Sequence, residues 1–181
     1  MKLVAFDGDN TLWTPLSGLY LTDRTPTDPY GSPDFRFSPL PDNPLMARRD
    51  DGALFALRAE AREVLMSLRA HGILTAVASY NHAGPVRRVL EAFGLLPLFD
   101  YVVAEWHTNK DRMLEQILAL AANDGHEISP SDAMLVDDDP EGLYAVQCAN
   151  MGSRLACFGK DILDLREVLP LAGVLAGEVA P

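Results

Sequence analysis

The stretch Leu3-Val4-Ala5-Phe6-Asp7-Gly8-Asp9-Asn10-Thr11-Leu12-Trp13 decides the fold. Lys2 to Phe6 reads as a short strand that is apolar on both faces, the pattern of a central parallel strand buried beneath helices. Asp7 and Asp9 then put two carboxylates at its end. Alone, they could be a polar turn that closes the strand. Along a strand they would share a face, but the chain turns here, so their spacing by itself does not make them converge.

Downstream, helical and strand periods alternate. Glu60 to His71 carries Ala61, Val64, Leu65 and Leu68 at helical spacing and stops at Gly72. Ile73 to Ala78 reads as a strand, Pro85 to Phe93 as a helix ending at Gly94, and Tyr101 to Ala104 as a strand. Lys110 to Ala122 predicts a helix with Met113, Leu114, Ile117 and Leu118 in its apolar stripes. Strand 133–136, helix 140–149, strand 154–158 and helix 162–169 complete the series. Strands alternating with helices imply a mostly parallel sheet covered on both faces, a three-layer α/β/α arrangement.

The exception is residues 14–57. Pro15, Pro26, Pro29, Pro33, Pro39, Pro41 and Pro44 rule out a continuous helix, and Gly18 and Gly31 add turns. Asp51-Gly52, between a basic and an apolar run, predicts a small hairpin. The whole segment reads as a proline-rich loop and flap inserted into a single domain spanning 1–181.

Length and charge narrow the functions. The 181 residues suit one domain, and 48% hydrophobic with 23% charged residues suit a folded core. A net charge of −11 disfavours nucleic acid and anionic membrane surfaces, both of which select clustered Lys and Arg. An acidic protein that handles an anion must bring positive charge to it locally, from a metal, a lysine or backbone N–H groups. Cys148 and Cys157 are too few for a disulfide framework, lack a zinc spacing, and read as buried thiols. No leader and no membrane-length apolar window stands out, so the expected location is the cytoplasm.

In open α/β sheets, ligands bind beyond the carboxyl ends of the strands. Polar residues collect at four such places: Asp7 and Asp9, Ser79, Lys110, and Asp137-Asp138-Asp139. Carboxylates converging there would repel one another without a cation. Oxygen-only ligands favour a hard divalent ion such as Mg2+, which commonly binds one or two carboxylates together with substrate phosphate. Lys110 and the Ser79 hydroxyl would complete a cradle for a phosphoryl group. One aspartate can attack phosphorus while the other protonates the leaving oxygen and later deprotonates water. Taken singly, Ser79 reads as a turn serine and Lys110 as a solvated helix residue; their order is what joins them.

In that order the four places resemble the motifs of the haloacid dehalogenase superfamily: Asp7-Gly8-Asp9-Asn10-Thr11, Ser79, Lys110 and Asp137-Asp138. The resemblance spans about Lys2 to Phe158 and implies a Rossmann-like fold. Asn10-Thr11-Leu12-Trp13, the Ala78-Ser79-Tyr80-Asn81 segment, the proline-rich loop with its hairpin and the missing large cap domain are similar to the magnesium-dependent phosphatase branch.

The resemblance implies Asp7 as nucleophile, Asp9 as general acid and base, and Ser79 and Lys110 as phosphate holders. It implies Mg2+ on Asp138, Asp7 and the Asp9 carbonyl, with Asp137 supporting, and Thr11 steadying the loop beside the substrate. Two positions depart from it. Gly8 stands where many relatives have a bulky apolar residue, and Tyr80, a candidate substrate contact, stands where the branch's best-known members carry Arg.

The implied activity is Mg2+-dependent hydrolysis of a phosphomonoester through an aspartyl phosphate. A phosphorylated small metabolite or phosphoprotein is the expected partner, and a homodimer is the arrangement that would cover an open site. The residues also admit a regulatory module that binds without turnover, or a phosphoryl- or acyl-transfer partner domain. Asp139 is expected to cap the helix after it. Trp13 is expected to pack beneath the flap, Trp106 and His107 to lie in a surface loop, and His82 to be structural or solvent-facing. Arg48 and Arg49 are expected to be a solvated hairpin pair, with anion contact the alternative.

Overall fold

The computed structural model describes residues 1–21, 34–149 and 151–174. Its elements run β1 (Leu3–Phe6), β2 (Trp13–Pro15), β3 (Phe37–Leu40), β4 (Asn43–Arg49), β5 (Leu54–Leu57), α1 (Ala61–Ala70), β6 (Leu74–Tyr80) and α2 (Ala83–Ala92). They continue with β7 (Tyr101–Glu105), α3 (Lys110–Asn123), β8 (Ala133–Asp137), α4 (Pro140–Cys148), β9 (Arg154–Cys157) and α5 (Val168–Ala172).

Five parallel strands form the main sheet in the order β7-β6-β1-β8-β9, with Phe6 opposite Val77 on one side and Val136 on the other. β1 is therefore the switch point, from which the strand order runs outward in both directions. All four of its residues are buried, and alternation divides them between the two faces. Val4 and Phe6 pack with Val64, Leu65, Val86 and Val168 of α1, α2 and α5. Leu3 and Ala5 pack with Met113, Leu114, Ile117 and Leu143 of α3 and α4. The three-layer arrangement follows from a strand with no polar face to offer water.

The connection between β1 and α1 is more ordered than its prolines suggest. Within it, β2, β5, β4 and β3 form a four-stranded antiparallel sheet. The expected turn at Asp51-Gly52 joins β4 to β5, with Gly52 at φ +95°. The strands β2 and β3, expected as irregular chain, carry Pro15 and Pro39. Proline excludes a helix, but it is tolerated on an edge strand, and both lie at sheet edges. Residues 22–33, which include Pro26, Pro29, Gly31 and Pro33, lie outside the described residues. Phe55, Ala47 and Trp13 join this small sheet to the core beneath α1 and α2. Among the described residues no helical cap accompanies it.

Three further expectations change. The last helical segment begins at Leu165 as a 3-10 turn rather than at Ile162. Asp164 caps it by accepting from Arg166 N, while Glu167 accepts from Asp164 N, both at the first turn. Cys157 is buried, but Cys148 is exposed on α4. Arg49 is neither solvated nor free to bind an anion. It is 1% exposed, forks onto Asp51 at 2.9 and 2.7 Å, donates to the Tyr20 and Leu21 carbonyls, and stacks over Phe35. Arg48 is exposed, as expected. No helix among the described residues is long and apolar enough to cross a membrane.

Candidate active site

The carboxyl ends of β6, β1 and β8 open on a cleft of ≈ 320 Å³, the place that the switch point dictates. Asp7, Asp9, Ser79, Tyr80, Lys110, Asp137 and Asp138 all line it. The convergence that spacing could not show is produced by a sharp turn. Leu12 N and Trp13 N both donate to the Gly8 carbonyl, and Asn10 lies at φ +61°, a left-handed conformation that Asn tolerates better than most residues. Arg58 fastens the turn from behind, donating to the Asn10 carbonyl at 2.8 Å while its guanidinium lies over Phe158.

The two aspartates meet different partners. Asp7 accepts from the Lys110 ammonium at 2.5 Å. Among the described residues Asp9 meets only neutral donors, the Trp13 indole N–H at 2.9 Å on Oδ1 and the Asn81 amide at 2.7 Å on Oδ2. Burial, and then the charge of Asp7, push Asp9 up to about 7 despite those two hydrogen bonds.

Lys110 opens α3 and is 4% exposed. Besides Asp7 it donates to the Ala78 carbonyl at 2.7 Å and lies 3.0 Å from Asp137 Oδ2. Burial alone would lower its pKa, but Asp7 and Asp137 hold the ammonium above its ordinary value. Gly142 of α4 makes room for this lysine: a methyl group there would lie 3.1 Å from Lys110 Cγ and 3.3 Å from Asp137 Oδ2.

Asp7, Asp137 and Asp138 can each bring one oxygen within 4.8 Å of the others. Asp137 is 1% exposed; its Oδ1 accepts from Asp139 N, while buried Oδ2 has no hydrogen bond beyond its ion pair with Lys110. Burial and Asp7 raise Asp137 to about 7, with Lys110 opposing, and raise Asp138 above its ordinary value. Three carboxylates whose oxygens converge, with one ammonium shared between two of them, fit a hard divalent cation. The Asp9 carboxylate is not in this group.

Thr11 is fully buried and donates to Asp138 Oδ1 at 3.4 Å, so its side chain steadies the acidic loop and does not reach the cleft as a substrate contact. Asp139 caps α4 as expected, accepting from Glu141 N. His107 sits in its loop, bonded to Glu105 and accepting from Asn109 N. Trp106 lies in the surface loop after β7, as expected, and is 42% exposed. It lines the cleft with Tyr80 and Tyr20, stacked parallel on His82 at 4.8 Å and tilted against Tyr80 at 5.0 Å. Nothing in its local sequence marks Trp106, because only the fold brings its loop beside the end of β6.

A doubly covered parallel sheet with acids gathered at its switch point defines a Rossmann-like α/β fold with a cleft at the usual place. Residues 40–150 match the haloacid dehalogenase-like hydrolases, and the chain belongs to that family. The matched span holds Ser79, Lys110, Asp137 and Asp138, and folding brings Asp7 and Asp9 to them.

Solved structures agree in fold. A HAD-superfamily hydrolase from Geobacter sulfurreducens superposes with a TM-score of 0.64 at 17% identity, covering 96% of this chain and 97% of that one. A predicted phosphoglycolate phosphatase from Haemophilus somnus gives 0.62 at 16% identity, covering 94% and 97%. The phosphatase-domain-containing N-terminal part of a Bacteroides fragilis protein, complexed with Mg, gives 0.62 at 19% identity, covering 97% of this chain. This chain spans 40% of that Bacteroides chain. No curated protein matches the sequence significantly.

Proposed function

We propose that the chain hydrolyses phosphomonoesters with Mg2+, through an aspartyl phosphate on Asp7. The observation that carries this reading is the pair of aspartates facing one cleft in opposed surroundings, Asp7 on an ammonium and Asp9 among neutral donors with its pKa near 7. Such divergence is how paired carboxyl groups divide nucleophile from acid.

An Asp7 oxygen attacks phosphorus and the bond to the leaving oxygen breaks as Asp9 gives that oxygen its proton, releasing an alcohol. Asp9, now a carboxylate, takes a proton from water, whose oxygen attacks phosphorus and displaces Asp7 with release of phosphate. Lys110 offsets the charge of Asp7 and Asp137 throughout. Asp7 and Asp138 would hold Mg2+ directly, with Asp137, one oxygen already held by Asp139 N, supporting them. When bound, the ion supplies positive charge to the phosphoryl oxygens.

The rim supports a substrate preference. Lys110 is the one basic side chain among the described lining residues, and it is held by acids, whereas Tyr20, Tyr80 and Trp106 offer ring faces. Ring-bearing monoesters with no second negative charge suit this rim better than phosphoglycolate, whose carboxylate would meet five aspartates. The test is phosphate release across ring-bearing monoesters, phosphosugars and phosphoglycolate, with Mg2+ and with chelator. Asp7→Asn should abolish release; full activity in that variant would remove Asp7 as nucleophile.

A further inference from the structure

We infer that Gly8 and Trp13 form one positioning device for the general acid: the absence of a side chain at Gly8 admits the Trp13 indole, and its N–H fixes the Asp9 carboxyl. The inference rests on the phosphatase reading and assigns a cause to two residues that the chemistry does not otherwise use.

Trp13 is fully buried, yet its ring does more than fill space. The six-membered edge lies over Gly8: a methyl group there would sit 2.5 Å from Cη2, closer still to Cζ2, and 3.1 Å from Ser79 Oγ. Real side-chain carbons do not approach so closely, so any other residue at Gly8 would expel the ring or shift β6. On the same side of the indole, where Nε1 and Cζ2 share the ring-fusion carbon, the N–H reaches Asp9 Oδ1 at 2.9 Å. Gly8 itself lies at no positive φ, so space and not backbone conformation requires glycine here.

Indole nitrogen donates and cannot accept, and the Asn81 amide likewise donates through Nδ2. Each oxygen of Asp9 is thus held by a donor, which leaves the acid proton to be directed at the cleft. Trp13 is a positioning residue, because it touches Asp9 and not the cleft. The turn hydrogen bonds of Gly8, Asn10 and Trp13 tie the two residues into the same loop, so ring and acid move together.

The test exploits leaving groups. A displaced general acid slows esters of poorly leaving alcohols much more than esters of nitrophenol, whereas a loosened core slows both equally. Benzyl phosphate and 4-nitrophenyl phosphate carry similar rings, and kcat/KM reports only the steps up to release of the alcohol.

Trp13→Phe, and replacement of Trp13 by benzothienylalanine, which keeps the shape but lacks the N–H, should lower kcat/KM on benzyl phosphate about tenfold or more. Activity on 4-nitrophenyl phosphate should change by less than about threefold, since general-acid help matters least there. Gly8→Ala should show the same selective loss, and the Gly8→Ala/Trp13→Phe double variant should lose less than the sum of the two. If Trp13→Phe fails to fold, the benzothienylalanine protein supplies the same comparison. Equal losses on both esters, or no loss on either, would overturn the device while leaving the phosphatase reading intact. Release of phosphate by the wild-type protein from neither ester would overturn both.

Discussion

At Asp137 and Asp138, one position in the chain separates two jobs. Asp138 is half-buried and open to the cleft, while Asp137 is sealed between Lys110 and the Asp139 amide. Asp138→Asn should raise the Mg2+ concentration needed for half-maximal activity by about tenfold or more, since disturbing even a ligand's outer partners costs that much. Asp137→Asn should instead remove one of the three groups that hold Lys110, lowering activity at saturating Mg2+; a Mg2+ titration of each variant separates the two. Gly142→Ala makes a related point. Alanine favours a helix by about 1 kcal/mol over glycine, but here its methyl group presses on Lys110 and Asp137. Activity should fall with little change in the melting temperature.

These residues also mark how far the sequence could be read. Asp7, Asp9, Ser79, Lys110 and Asp138 were legible because each follows a recognisable strand or opens a helix. The parts played by Gly8, Trp13, Asn81 and Gly142 were not. Each depends on which side chain arrives opposite it in space, and spacing along the chain carries no record of that.

Among the elements, the small antiparallel sheet depended most on tertiary context. Its β4–β5 turn was legible in Asp51-Gly52, but β2 and β3 were hidden by their prolines. Arg49 looked solvated beside Arg48, yet strand alternation sends it into the core. A buried guanidinium requires partners, and Asp51 is the charged one among the described residues. Asp51→Asn should cost about 1.5–3 kcal/mol, the range for hydrogen bonds to charged groups, measurable by urea unfolding.

The Arg49 guanidinium also holds the Asp51 carboxyl below its ordinary value of 3.8. A depressed carboxyl contributes stability that is present above 3.8 and is lost as pH falls through the lower folded value. The gap in stability between wild type and Asp51→Asn should therefore be constant near neutrality and close only in acid below pH 3.8. A gap that closed between pH 5 and 7 would contradict this pairing.

For the whole molecule, Asp7, Asp137 and Asp138 concentrate negative charge where the sheet cannot disperse it. A cation that binds only the folded form stabilises it by about 2.7 kcal/mol at a hundredfold excess over its dissociation constant. Mg2+ should therefore raise the melting temperature by several degrees and chelator should reverse the shift, with a smaller shift in Asp138→Asn at the same Mg2+ concentration. The three-layer architecture was legible from the β1 run and the helix–strand alternation, because burial on both faces leaves few other arrangements. The terminal helix was read three residues too early, since the Asp164 cap competes with the apolar periodicity around Ile162.

β1 is made long before its neighbours, for β6 begins at Leu74 and β8 only at Ala133. While the chain leaves the ribosome, the strand that leads into Asp7 and Asp9 therefore waits with at least one hydrogen-bonding edge unpaired. Such an apolar edge invites pairing with other chains, and distant pairings of this kind form slowly. A nascent chain halted before Ala133 would have no working centre and one adhesive strand, a natural target for chaperones. The cluster of Asp7, Asp137 and Asp138 is complete only when the fourth strand of the main sheet, β8, arrives.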